Sequence, residues 1–396
     1  MRRQVLVRLA NAATMLAATA LLLAAPARAQ DDTIKVGLLM SYSGIGMLGG
    51  TSADNVIKQF QARHGTAPGG KRIEFIRRDT TGPNPEVARR MAQELLAREK
   101  VQIVLGPDFT PNVLTLAPLF TEAKVPAIIT GAATHGIVGE KSPYYLRTFF
   151  SIPQLVRPMA QWARKSGLQK VVVVVADYGP GHDAEATFGK SFGEQGGTVL
   201  SSIRVPIRNP EFSSTMQRIR DAKAEAVFVF MPLGEVALQF MKAYNDSGLK
   251  STGIKLLATA DITDESTLAA AGDGALDIVT TGVYAPSHDS PLNKAFVAEH
   301  EKMFGKSPRL SLIHATVWDA MQILYSGLEA QKGQRFDPDK FIAHARGRSF
   351  ESPRGPVTVD PANGDLVQNV YLRRTEKRDG VVQNIEFDVI KAVPTN

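Results

Sequence analysis

The sequence predicts an α/β protein of two Rossmann-like lobes, each a parallel-core sheet flanked by helices, joined by a multi-strand hinge. Three observations lead there. A strand–helix alternation runs from Ile34 to Thr130 and then begins again at Val171, so one sheet covered on both faces is followed by another. The 396 residues exceed what a single hydrophobic core usually holds. The β-rich tail from Gly355 to Val393 cannot form a domain alone, so it must complete the earlier lobes, and that requires several chain crossings between them.

The elements follow in order. Ile34–Met40 is a short apolar strand, and Ala53–Arg63 reads as a helix with Val56, Ile57 and Phe60 on one face. Arg72–Arg77 is a second strand. Glu86–Arg98 is a helix through Val87, Met91, Leu95 and Leu96, and Gln102–Leu105 is a third strand. Thr110 with Pro111 behind it reads as an N-cap and first helical residue, opening the helix Val113–Ala123 before a fourth strand, Pro126–Thr130. The second series starts with Val171–Ala176, a near-pure valine run of the kind buried on both faces. Strands Thr198–Val205, Ala226–Phe230 and Ile254–Thr259 follow, spaced by helices near Ala184–Glu194, Phe212–Asp221 and Glu235–Ser247. After Val279–Tyr284 come two long helices, Leu292–Phe304 and Leu310–Ala330.

Composition and the leader narrow the compartment. Arg2, Arg3 and Arg8 precede the apolar run Leu9–Ala25, and Pro26-Ala27-Arg28-Ala29 supplies small residues for cleavage after Ala29. That order is a secretory signal over residues 1–29, with the Arg2-Arg3 pair leaving the export route open. No later stretch is long and apolar enough for a membrane span. The leader carries four arginines and no acid, so the formal charge falls from +7 to +3 on its removal. The basic clusters that remain are interleaved with acids, and no nucleic-acid partner is expected. The absence of cysteine removes disulfides, thiolate metal sites and cysteine nucleophiles. The seven histidines show no metal-ligand spacing, so no metal and no cofactor is expected.

Two motifs match catalytic or cofactor signatures letter for letter. Gly44-Ile45-Gly46-Met47-Leu48-Gly49 spells the dinucleotide fingerprint between a strand and a helix, with Asp79 ending the next strand. In an exported protein it reads better as a Gly-rich turn that brings backbone amides towards an anionic ligand group. Gly189-Lys190-Ser191-Phe192-Gly193 spells a nucleophile elbow, but it is preceded by helical sequence where an apolar strand is required. The protein is expected not to be an enzyme.

The order of motifs along the chain resembles the Leu/Ile/Val-binding (type I periplasmic binding protein) family, which serves ABC importers. The residues that carry the resemblance are Ile34–Leu39 running into Ser41-Tyr42-Ser43-Gly44, Asp79 with Asn84-Pro85, and Val104-Leu105-Gly106-Pro107. Val125–Ile128 with Gly131–Thr134, Asp177-Tyr178-Gly179, Phe350–Val357, and Asp360 through Gly364-Asp365 complete it. The resemblance implies a type I periplasmic binding fold with ligand held between the lobes, and lobes 33–148 plus 284–355 and 149–283 plus 356–393. Ligands of open parallel sheets also bind outside the carboxyl ends of the strands, and clefts between domains are preferred pockets. On that ground Tyr42, Ser43, Asp108, Phe109, Thr110, Ala132, Ala133, Thr134 and His135 are first-lobe candidates.

By the same resemblance, Thr110, Ala133 and Thr134 fall where the family holds an α-carboxylate, and Thr110 opens a helix whose N-terminus favours an anion. The half that meets the ammonium departs from the pattern. Met231-Pro232-Leu233-Gly234 stands where an aromatic residue is usual, and Ala260 where an acid is usual, with Asp261 one residue along. Either Asp261 turns inward as the ammonium partner or the ligand has none, because a buried unpaired ammonium costs several kcal/mol by order of magnitude. Tyr42, Phe109, Tyr178, Leu233 and Tyr284 suit an aliphatic or aromatic tail, and His135 a hydrogen bond to a carboxylate or ring hydroxyl. The expected function is capture of a small organic carboxylate for a membrane permease by a periplasmic monomer. A branched-chain amino acid as ligand, and a sensor subunit as role, stay open.

Overall fold

The computed structural model describes residues 33–306 and 309–395. The predicted leader, with its cleavage position at Ala29, lies outside them. No helix of the described residues is long and apolar enough to cross a membrane.

Two sheets organise the chain. The first holds five parallel strands in the order β2-β1-β3-β4-β5, made of β1 (Thr33–Met40), β2 (Arg72–Asp79), β3 (Ile103–Leu105), β4 (Ala127–Ile129) and β5 (Tyr145–Arg147). Helices α1 (Leu48–His64), α2 (Pro85–Glu94) and α3 (Thr110–Ala123) connect them. The second sheet starts with β6 (Lys170–Ala176), β7 (Thr198–Val205), β8 (Ala226–Phe230), β9 (Lys255–Thr259) and β10 (Val279–Gly282), parallel in the order β7-β6-β8-β9-β10. Its helices are α4 (Ile152–Lys165), α5 (Gly179–Gly193), α6 (Ser213–Asp221), α7 (Glu235–Asp246) and α8 (Glu265–Ala271). The tail adds three antiparallel neighbours beyond β10: β13 (Leu366–Arg378), then β12 (Gly355–Val359) and β11 (Ser349–Ser352). A long ribbon strand, β14 (Val381–Val393), lies along β13.

The valine run behaves as its composition demands. Val171 to Ala176 are all fully buried, since β6 lies between two neighbours with helices on both faces. Edge strand β2 instead alternates, with Ile73 buried and Arg72 and Glu74 exposed.

Between β10 and β11 the chain returns to the first sheet with α9 (Pro291–Phe304), α10 (Leu312–Glu329) and α11 (Pro338–Ala345). The α10 sequence is apolar nearly all round and the helix is buried accordingly, which is the rule for a helix without a solvent face. Trp318 of α10 meets Phe60 of α1 edge-on at 4.8 Å and Phe296 of α9 at 5.0 Å. Each such ring contributes about 1.5–3 kcal/mol by burial.

Three segments therefore join the lobes: β5 to α4, β10 to α9, and α11 to β11. Two fully buried arginines pin them. Arg147 of β5 donates from Nε and Nη2 to the two oxygens of Asp365, each at 2.6 Å, and from Nη1 to the carbonyls of Ala132 and Thr134. Arg354, in the β11–β12 turn, donates to Asp319 of α10 at 2.9 and 2.6 Å and to the Thr148 carbonyl.

Several elements differ from the sequence expectation. Helix α3 begins at Thr110 itself, with Phe109 as N-cap and no side-chain cap, so Thr110 is not the cap residue. Helix α2 ends at Glu94, and Leu95–Glu99 forms one π-helical turn closed by Lys100 at φ 56°. Helix α4 has no expected counterpart because Pro153 and Pro158 interrupt its pattern. The Ser151–Gln154 capping box that opens it was its readable signal. Strand β11 lies in a segment expected in the first lobe, yet its hydrogen bonds go to β12 in the second sheet.

Candidate ligand-binding cleft

Between the carboxyl ends of the two sheets lies a cavity of about 360 Å³, within the usual range for small-molecule sites. The first-lobe wall is built by the loops after β1, β3 and β4: Gly44–Gly49, Asp108 to Thr110, and Gly131 with Ala133. Gly46 sits at φ +86°, and a Cβ there would lie 2.8 Å from the Phe109 ring, so only glycine lets this loop and Phe109 share the wall. The Met47, Gly49 and Gly50 amides donate back to Gly44, Gly46 and Ser41 carbonyls. The loop spends these three amides on its own turn, so they are not among those free to meet an anion. Asp79, the acid of the fingerprint pattern, is held by Ser43 Oγ and the Tyr42 and Thr81 amides.

The second-lobe wall is made of side chains that end long apolar strands. Tyr178 follows β6 and stacks on Phe230 of β8 at 6.2 Å and 18°. Leu233, Leu238 and Asp261 complete it. Gly181 lets α5 start tight against β6, for a Cβ there would fall 1.8 Å from the Ala176 carbonyl oxygen. Phe149, from the first crossover, and Ser311, Ile313 and His314, at the start of α10, close the third side.

Two carboxylates of the cleft are raised in pKa by burial. Asp108 accepts the Ser41 amide at 2.7 Å and the Thr80 hydroxyl at 3.3 Å, yet desolvation holds it at about 6. Asp261 accepts the Thr259 hydroxyl at 3.0 Å, and burial pushes it to about 7. Arg309 enters the cleft while paired with Glu265 at 2.8 Å. Among the described residues no group of three or more His, Asp or Glu side chains is arranged to hold a metal.

Residues 33–380 match the family model described as periplasmic binding protein. The chain belongs to that family. It is a binding protein and not an enzyme, of a periplasmic family. The Leu/Ile/Val-binding protein homolog 6 of Brucella melitensis is 41% identical over 377 residues, covering 95% of this chain and 96% of that relative. A solute-binding protein of an ABC transporter from Rhodopseudomonas palustris HaA2, in complex with p-hydroxybenzoic acid, is 43% identical with a TM-score of 0.89. That match covers 92% of this chain and 98% of the other. A counterpart from strain BisB5, in complex with 3,4-dihydroxybenzoic acid, is 40% identical with a TM-score of 0.88, covering 92% and 99%.

Of the residues singled out in sequence, this binding protein brings Phe109, Thr110, Ala133, Tyr178, Leu233 and Asp261 to the cleft, together with Asp108. Six others do not line it. Tyr42 and Ser43 are tied to Asp79, with the Tyr42 hydroxyl donating to Asp54, so they brace the loop instead. Ala132 is buried and gives its carbonyl to Arg147. Thr134 donates its amide to Thr110 Oγ1 at 3.4 Å, and its own buried hydroxyl has no partner. His135 donates its amide across to Asp183 of the second lobe. Tyr284 is buried behind the cleft with its carbonyl on Arg373. Ser191 lies in the last turn of α5, which removes the elbow geometry. Sequence reasoning missed Phe149 and the α10 group Arg309, Ser311 and His314. The Ser311–His314 spacing of a capping box was the available signal.

Proposed function

We propose that this binding protein captures a small aromatic carboxylate and delivers it to its permease as a monomer, after removal of residues 1–29. The observation that carries the reading is the ring-lined slot. Phe109 and Phe149 face it from one side, and the near-parallel pair Tyr178 and Phe230 from the other. Flat apolar walls favour offset stacking of a ring over a branched aliphatic tail. The carboxylate sits at Thr110 and Ala133, where α3 presents an N-terminus that no side chain caps. The relatives from R. palustris that hold hydroxybenzoates support the same class. The lobes divide at the crossovers after β5, after β10 and between α11 and β11, and closure about these three segments shuts the slot.

A branched-chain amino acid is the second reading, because Asp261 does open into the cleft where an ammonium would need it. Calorimetric titration of protein unfolded and refolded to strip carried ligand decides between them. Micromolar binding of benzoate or 4-hydroxybenzoate, worth roughly 8 kcal/mol, with leucine silent, is the expected result. Leucine binding with the benzoates silent replaces the first reading by the second.

A further inference from the structure

His314 offers the cleft one donor of fixed identity. Its Nδ1 accepts the backbone N–H of Ser311 at 2.9 Å. A backbone N–H can only donate, so Nδ1 is bare. The ring is 3% exposed, and burial lowers its pKa to about 3, so it is neutral and its single proton sits on Nε2. His300 lies edge-on to it at 5.0 Å, with its own Nδ1 on Gln59 Oε1. The Gln59 amide is spent on the Phe296 carbonyl, so His300 is the donor in that bond and carries its proton there. Among the described residues the hydrogen bonds of the His314 ring are those of Nδ1 to Ser311, and His314 lines the cavity.

The surroundings choose what that donor meets. Asp264 Oδ2 already accepts the Leu312 N–H at 3.3 Å at the start of α10, and Asp261 and Asp264 both line the cleft. Arg309 at that end is already paired with Glu265, and Asp108 beside α3 is held by Ser41 and Thr80, so the uncapped N-terminus of α3 is what draws a ligand carboxylate. A neutral hydroxyl fits, since it accepts from Nε2 and turns its own proton towards the carboxylates. We propose that His314 is the specificity-determining residue of the cleft, reading a hydroxyl on the ligand's ring by donating to it from Nε2. The inference rests on the aromatic-carboxylate reading above.

The test compares benzoate with the better bound of 3- and 4-hydroxybenzoate. The wild type is expected to favour the hydroxylated ligand by about tenfold or more, the effect of one buried donor satisfied. His314→Asn places Oδ1 near the Nδ1 position, keeping the bond from Ser311, while its Nδ2 falls near the Cδ2 position, so no donor reaches the Nε2 position. Its preference should fall to about twofold, because binding of the hydroxylated ligand weakens more than binding of benzoate. A preference retained in the variant, or equal weakening towards both ligands, overturns the proposal. So does a wild type without preference. In ¹⁵N-histidine-labelled wild type, which needs no variant to fold, the His314 Nε2–H resonance should move downfield with the hydroxylated ligand and not with benzoate. Equal movement with both overturns the proposal too. A wild type that binds leucine and neither benzoate brings down the aromatic reading itself, a distinct result.

Discussion

The buried carboxylates of the hinge and those of the cleft are alike in burial and opposite in partnership. Asp365 and Asp319 are each clasped by a fully buried arginine through two hydrogen bonds. Asp108 and Asp261 are held by hydroxyls and, for Asp108, a backbone amide, with no arginine among the described residues clasping them, and burial raises their pKa as it does that of Asp319. Where the chain must keep one geometry through closure, charge is neutralised inside the protein. Where a solute must enter, charge is left for protons and ligand to answer.

The largest effect belongs to the hinge. Arg147→Ala leaves Asp365 buried without its cation and should cost about 3–5 kcal/mol in urea unfolding. Replacing both partners with leucine should restore much of the loss. A double variant as unstable as the single would show that the Ala132 and Thr134 carbonyl contacts, and not the ion pair, set the cost. Next comes the cleft. Asp261 is raised from its ordinary value to about 7, so the folded state holds its proton more tightly than the unfolded chain. Its stabilising contribution is complete at low pH and is lost as pH rises through about 7. Asp261→Asn should therefore be more stable than wild type at pH 8, by on the order of a few kcal/mol, with a flatter pH profile of Tm. A parallel profile in the variant would make the cleft carboxylate no different from a surface one.

Smaller still, Tyr178→Ala should weaken an aromatic acid about 10- to 100-fold by calorimetry, combining lost ring burial and stacking. A loss below about threefold would move the ring away from the Tyr178–Phe230 pair. At the bottom, Lys190→Ala removes an exposed i,i+4 pair with Glu194 at 4.0 Å and should change stability by less than about 0.5 kcal/mol.

How much was legible follows the same division. Strands buried on both faces, such as Val171–Ala176, announce themselves by composition, and both series of strands fall within a residue or two of their expected places. The side-chain wall of the cleft was legible for the same reason: Tyr178 and Asp261 come directly after such strands. The first-lobe wall was legible in part, through the Gly44–Gly49 turn and through Phe109, Thr110 and Ala133. Tyr42 and Ser43 stand at the end of β1 as the switch-point rule asks, but Asp79 and Asp54 draw them aside and leave Gly44–Gly49 facing the cavity. The α10 group was hidden by distance along the chain, for nothing local shows that residue 314 returns to a cleft built from residues 44 and 110. Strand β5 was hidden by brevity, being three residues that end in a buried arginine.

The return of α9 and α10 to α1 has a consequence for assembly. Gln59 waits for Phe296, 237 positions later, and the Tyr325 hydroxyl reaches back 260 positions to the Gly65 carbonyl. The part of the molecule synthesised earliest is thus among the last to be finished, because its covering helices are still unmade. Contacts of such long sequence separation make folding slow. A nascent chain therefore leaves its first core open until residue 325 has emerged.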